Sequence, residues 1–118
     1  MTVENPSVVD EVTQNDDGTE FILGMYETRP LDGNETQLQE LLTKVNFYAD
    51  VIETGMFVER FPQARNARLS VLLTCLDEPS DPKIIELLGA AARLFSAKNV
   101  EFFVQVIPRE LFEPDGVH

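Results

Sequence analysis

The chain has 118 residues, 43 % of them hydrophobic, and carries a net charge of −12 from 21 acidic and 9 basic side chains. That length suits one domain with a real core, and the excess of acid repels phosphate backbones, which argues against disorder and against nucleic-acid binding. One cysteine, Cys75, and one histidine, the last residue His118, leave no material for a Ser-His-Asp triad, a Cys-His pair or a Cys/His zinc site.

The longest apolar runs are short, such as Val71-Leu72-Leu73, and none approaches the roughly 20 residues of a membrane helix. The first residues, Met1-Thr2-Val3-Glu4-Asn5-Pro6, lack the basic-then-apolar order of a signal peptide. A lone cysteine suits a reducing compartment, so the reading is cytoplasmic. Acid is concentrated early: residues 1–43 hold ten acids and one base, Arg29. The plain reading of this charge is solubility; the sharper one is a surface matched to a basic partner, or one imitating nucleic acid.

In chain order, residues 1–6 form a flexible lead-in, and Val8–Thr13 a short strand. Asn15-Asp16-Asp17-Gly18 is a hairpin turn signal, because Asp-Gly tolerates positive φ. Thr19–Tyr26 alternates, with Phe21, Leu23 and Met25 on one face and Ile22, Gly24 and Tyr26 on the other. Arg29-Pro30-Leu31-Asp32-Gly33 turns the chain. Asn34 caps a helix, with Gln37 completing a capping-box pattern. Leu38, Leu41, Leu42, Val45, Tyr48, Ala49 and Ile52 form its apolar stripe, Glu40 and Lys44 a favourable pair on the wet side, and Gly55 its stop. Asn46, mid-helix among apolar neighbours, is either a solvated boundary residue, the favoured reading, or a buried polar specificity element.

Met56–Ala67 reads as a loop or short extension. Arg68–Leu76 is a strand, with Leu69, Val71, Leu73 and Cys75 facing one way. Asp81 as cap and Pro82 at the first helical position start a second helix running to about Lys98, striped by Ile84, Leu87, Leu88, Ala91, Leu94 and Phe95. Asn99 takes the left-handed stop. In Val100–Ile107, Val100, Phe102, Val104 and Val106 point inward, and Pro108 ends the strand. Residues 108–118 form a loosely held tail.

The order ββαβαβ, with right-handed crossovers moving the same way, predicts an α+β two-layer sandwich. It is one domain over residues 1–118, with a core over about 7–107, a four-stranded mixed sheet, and two helices packed on one face. The other face would carry Ile22, Tyr26, Leu72, Leu76, Phe103 and Ile107 among Ser70, Thr74, Glu101 and Gln105. Exposed apolar patches mark interaction sites, so Tyr26, Leu72, Phe103 and Ile107 are the candidate interaction surface. Its occupant is a second copy, another ligand or protein, or the chain's own tail through Leu111 and Phe112.

Other chemistry is thin. Cys75 reads as a small buried hydrophobe and His118 as solvated. Asp16 and Asp17 serve the turn, and Asp77, Glu78 and Asp81 the start of a helix. Asp32-Gly33-Asn34-Glu35 lacks the spacing of a calcium loop, and the scattered glycines form no phosphate loop. Neither a cofactor nor a metal is expected. Arg60, Arg65 and Arg68, interleaved with Phe57 and Phe61, make a candidate basic-aromatic anchor for an acidic or phosphorylated partner. The plainer account has the arginines balancing the protein's own carboxylates and the phenylalanines stapling the loop to the core.

Several segments together resemble one family: Glu4-Asn5-Pro6 with Val9-Asp10; Arg29-Pro30-Leu31-Asp32-Gly33; Leu41, Lys44, Asn46, Tyr48, Ile52 and Gly55 along the helix; Pro62; Leu73-Thr74-Cys75 and Glu78-Pro79. They resemble small bacterial proteins classed as a domain of unknown function, over roughly residues 4–107. That family often has an aromatic residue where Leu31 stands. The resemblance implies a bacterial, cytosolic protein and carries over no activity and no site residue. The functional expectation is a non-enzymatic protein-interaction module, homodimeric, with no nucleic acid or membrane as partner. The alternative is a small-molecule or ion-binding regulatory domain using the cleft between the Pro30–Glu35 and Asp77–Asp81 loops, and a carboxylate-only hydrolase or isomerase ranks third.

Overall fold

A computed structural model describes residues 8–111. Four strands, β1 (Glu11–Gln14), β2 (Glu20–Glu27), β3 (Arg68–Cys75) and β4 (Glu101–Val106), form one sheet in the order β1-β2-β3-β4. The hairpin pair β1–β2 is antiparallel, and β2–β3 and β3–β4 are parallel. Helices α1 (Glu35–Glu53) and α3 (Pro82–Ser96) make the crossovers, and a short α2 (Met56–Arg60) follows α1. The fold is α+β, and the element order is the expected ββαβαβ with α2 added.

The local signals act where the sequence places them. Asn34 accepts from Gln37 N at 2.8 Å, and Asp81 accepts from Lys83 N at 2.8 Å, each supplying an acceptor for an orphan donor of a first helical turn. The capping pattern is modified: Gln37 Oε1 takes the Gly33 N–H at 3.1 Å instead of the cap residue's own, while its amide donates to Pro30 O at 2.9 Å. Gln37 thereby ties the whole preceding turn to α1. Gly18, Gly33, Gly55 and Asn99 have positive φ. Asp17 accepts from the Thr19 backbone and hydroxyl, closing the hairpin turn, and the hydroxyl bond lowers its carboxyl pKa.

One sheet face, with Phe21, Leu23, Met25, Val71 and Leu73, is buried under α1 and α3. Leu41, Val45, Tyr48 and Ala49 come from α1, and Ile84, Leu88, Ala91 and Phe95 from α3. Each large aliphatic or aromatic side chain so buried contributes about 1.5–3 kcal/mol. Phe95 stacks on Phe102 at 5.7 Å, which fixes α3 over the start of β4.

The structure departs from the sequence reading at five points. The first strand begins at Glu11 instead of Val8, because Asp10 turns its side chain inward. The second departure is the α1 stripe, rotated about the helix axis: Leu42 is 50 % exposed and Leu38 and Ile52 are partly covered, whereas Gln37, Lys44 and Val51 are buried. Lys44 is therefore not on the wet side. Third, the segment expected to be a loop holds α2 and a 3₁₀ turn, Pro62–Ala64. Fourth, α3 ends at Ser96, two residues before Lys98. Finally, Val104 is 39 % exposed although it points to the helix side, since β4 is an edge strand that α3 only partly covers. Residues 1–6, Phe112 and His118, and the readings placed on them, lie outside the described residues.

Candidate interaction surfaces

The helix-free face is less open than its pattern implies. Of the residues expected there, Phe103 (49 %), Glu101 and Gln105 are exposed, all on β4. Tyr26, Ile22, Leu72 and Ile107 are half-buried, while Ser70, Thr74 and Leu76 are buried. Short side chains on the central strand sink between longer neighbours: Ser70 lies within 3.4 Å of Glu20 Oε2, and Thr74 within 3.4 Å of Gln105 Oε1. The exposed apolar surface is thus displaced toward the β4 edge. The cover expected from Leu111 and Phe112 concerns side chains outside those described.

Tyr26 is held on this face by its hydroxyl, which donates to Glu11 Oε1 across the β1–β2 pair. That bond, made by the neutral phenol to a carboxylate, pushes the Tyr26 pKa up to about 12. The four residues named for the surface, Tyr26, Leu72, Phe103 and Ile107, do share the face. Phe103 is the exposed one among them.

The basic-aromatic cluster divides in two. Phe57 is buried against Phe21, with ring centroids 5.9 Å apart, and Phe61 packs on Phe57 at 5.0 Å, so both rings staple the α2 region to the core. Arg60, Arg65 and Arg68 are exposed and make no ion pair among the described residues. The packing of the two rings matches the aromatic half of the plainer account. Beside them runs a groove of about 590 Å³ whose apolar walls include Val9, Val12, Met56, Phe57 and Phe61, with Glu59 and Arg60 also lining it.

Sequence reasoning missed a buried polar network centred on Asp10 and Lys44. Asp10 and Lys44 form an ion pair at 2.7 Å with both side chains fully buried. Asp10 also accepts from Tyr26 N at 3.1 Å through its other oxygen. Its own N–H donates to the Tyr48 hydroxyl at 2.8 Å, and that hydroxyl donates to Gly24 O at 2.6 Å. Lys44 Nζ lies 5.8 Å from the Tyr48 ring centre. Burial raises the Tyr48 pKa well above its ordinary value. The Asp10 carboxylate occupies the Tyr26 N–H, so the backbone ladder begins at Glu11 opposite Gly24. This network bolts the entry to β1 onto α1.

A second pair is likewise invisible to pattern reasoning. Glu27, 1 % exposed, accepts from Arg29 Nε at 2.8 Å and Nη2 at 2.6 Å, while Arg29 Nη1 reaches Glu40 Oε1 at 2.7 Å. Glu40 therefore pairs with Arg29 and not with Lys44. The proposed cleft between the two loops is occupied by the protein itself. Gly33 stands so close to Asp81 that a Cβ there would lie 2.6 Å from the carboxyl carbon, and Arg109 bridges Asp77 (2.9 Å) and Thr28 O (3.2 Å). Parallel sheets hold ligands where the strand order reverses, and this order, β1-β2-β3-β4, has no reversal. Cys75 is buried, which pushes its thiol pKa up to about 11. Asn46 is exposed, as expected. Among the described residues no group of three His, Cys, Asp or Glu side chains is arranged to hold a metal, and no helix is long and apolar enough to cross a membrane.

DUF6572, a family of unknown function, matches residues 1–108. The chain belongs to this family. The match spans every strand and helix described above. No curated protein and no solved structure matches the chain.

Proposed function

We propose that this chain is a small acidic bacterial, cytosolic protein acting as a non-enzymatic protein-interaction module, homodimeric, that docks through the β4 side of its helix-free sheet face. The carrying observation is Phe103, 49 % exposed on the helix-free face of β4 and opposite the half-buried Leu72 of β3. Desolvating a ring of this size is a large gain on association. The use of the reactive side chains supports the same reading: Asp10, Lys44, Tyr48, Glu27 and Arg29 are engaged with one another, and Cys75 is buried and held protonated. A single buried thiol also suits a reducing compartment.

The test is capture from a lysate of the source organism at low and high salt, with wild type beside Phe103→Glu. A stoichiometric partner, or a second copy, retained by wild type and lost by the variant supports the reading. Equal capture by both proteins, or none by either, counts against it.

A second reading, a small-molecule-binding regulatory domain, is favoured by the groove beside α2. Its apolar walls, with Arg60 and Glu59 as the charged lining residues, suit an amphipathic molecule whose charged end meets Arg60. Fatty acids that raise the melting temperature of wild type, and not of Arg60→Ala, would support it.

A further inference from the structure

Among the described residues, no strand pairs with the outer edge of β4. Ile107 N donates to Cys75 O at 2.9 Å, so by alternation the N–H and C=O groups of Glu101, Phe103 and Gln105 face β3. Those of Phe102, Val104 and Val106 point away from the sheet. The other edge is guarded: β1 has four residues, carries Glu11, and runs into the acidic turn at Asp16 and Asp17. By contrast β4 carries one charge, Glu101, no lysine and no proline, and exposes Phe103 and Val104 on its two sides. Past Pro108, Arg109 binds Thr28 O and Asp77 at the sheet end. Bare edges of this kind template strand addition.

We propose that two copies pair antiparallel through β4, forming one continuous eight-stranded sheet with all helices on one side. This rests on the homodimeric reading above and specifies its interface. A two-fold axis normal to the sheet sets residues of the same face opposite each other, and charge and apolar matching then select the register. With Phe103 facing the partner's Phe103, Glu101 faces Gln105, Phe102 faces Val104 and Val100 faces Val106. Every apolar residue meets an apolar one and the acid meets an amide. Shifted by one step to centre on Val104, the same strands would set Phe103 against Gln105 and Glu101 against Ile107, which is poorer on both counts. In the chosen register Phe102 and Val104 exchange backbone hydrogen bonds with the partner's Val104 and Phe102. An edge contact buries less than the roughly 1,200 Å² of a standard interface, so the dimer forms at high protein concentration.

The experiment is residue-resolved amide exchange on the full chain across a concentration series, with sedimentation velocity on the same samples. Protection at Phe102, Val104 and Val106 that rises with the dimer fraction is the expected result. Val104→Pro removes one outward N–H while leaving the β3 ladder intact, and is expected to weaken dimerisation by at least about tenfold. If the variant misfolds, the wild-type exchange data decide alone. A dimer whose three amides exchange at the monomer rate, or one that Val104→Pro leaves intact, overturns the edge assignment while sparing self-association. A monomer at every concentration overturns the edge and the homodimer together, whereas a captured foreign partner would leave the interaction-module reading standing.

Discussion

Asp10→Ala is expected to be among the most damaging single substitutions in this protein, although residue 10 precedes the first strand. Asp10 and Lys44 are both fully buried and 2.7 Å apart, so truncating the carboxylate leaves the ammonium in the interior without it. Breaking a buried pair from one side costs about 3–5 kcal/mol. The loss of the acceptor for Tyr26 N adds to this. At about 4 °C per kcal/mol for a domain near this size, Tm should fall by roughly 12–20 °C. Lys44→Met should cost less, because methionine fills the stem's volume and the carboxylate left behind keeps the Tyr26 donor. The double variant Asp10→Leu/Lys44→Met decides the matter. Replacing both charges with apolar groups of similar size is often neutral, so it should recover most of the loss from Asp10→Ala. Urea unfolding of wild type, Asp10→Leu, Lys44→Met and the double variant gives the coupling, with Asp10→Ala measured beside them. Additive losses, or an Asp10→Ala loss below about 1 kcal/mol, would refute the reasoning, because the pair would then contribute no more than a surface contact.

Three further outcomes are expected. Gly33→Ala combines a left-handed backbone with a Cβ placed 2.6 Å from the carboxylate that caps α3, and should lose about 2–3 kcal/mol; Gly55→Ala, also at positive φ but with open space, should lose only the strain of about 1–2 kcal/mol, and equal losses would refute the contact argument. The two tyrosines are held neutral in the folded state, Tyr26 up to about 12 from an ordinary 10.0. A raised folded pKa means that their stabilisation is intact below pH 10 and is lost as pH climbs toward 12, while the unfolded chain ionises first. Tyrosinate absorbance, unobscured by any tryptophan, should stay flat through pH 10 in the folded protein, and half-ionisation there would contradict the Glu11 bond. Cys75 should resist a thiol reagent at pH 8 until denaturant is added, whereas rapid labelling of the native protein would show that β3 is not buried as described.

Much of the fold is legible because its signals are local. Asn34, Asp81 with Pro82, Gly55 and Asn99 each act on backbone within four residues, and alternation in β2, β3 and β4 needs no partner to be read. What cannot be read depends on pairings far apart in the chain. Lys44 looks like a wet-side residue to any periodicity argument, since polarity is visible and a carboxylate 34 residues away is not. The one usable signal is geometric: Lys44 falls between Leu41, Val45 and Tyr48 on the helix surface, nearer the centre of the buried arc than Leu42 does. Hydrophobicity alone puts Leu42 in the core, and the helix axis turns it out. Alternation points Val104 inward, correctly, but does not tell whether it is covered, because coverage depends on which strand ends at the edge.

The surface assignments carry the same lesson into function. The face expected to lack a helix has its middle closed by short side chains, and its exposed apolar area collects on β4. Alternation names the face of each residue, but strand order decides which residues of a face stay wet. Catalytic sites leave spacing signatures because they need several groups converging on one atom. An edge that pairs with its own copy needs only an unguarded strand whose residues match themselves in reverse. Glu-Phe-Phe-Val-Gln-Val meets that condition about Phe103, and it does so without a glycine, histidine or cysteine that would mark it in the chain. The sequence is informative there once crossover topology places the strand last in the sheet, a step that rests on the order of elements and not on the residues of the strand itself.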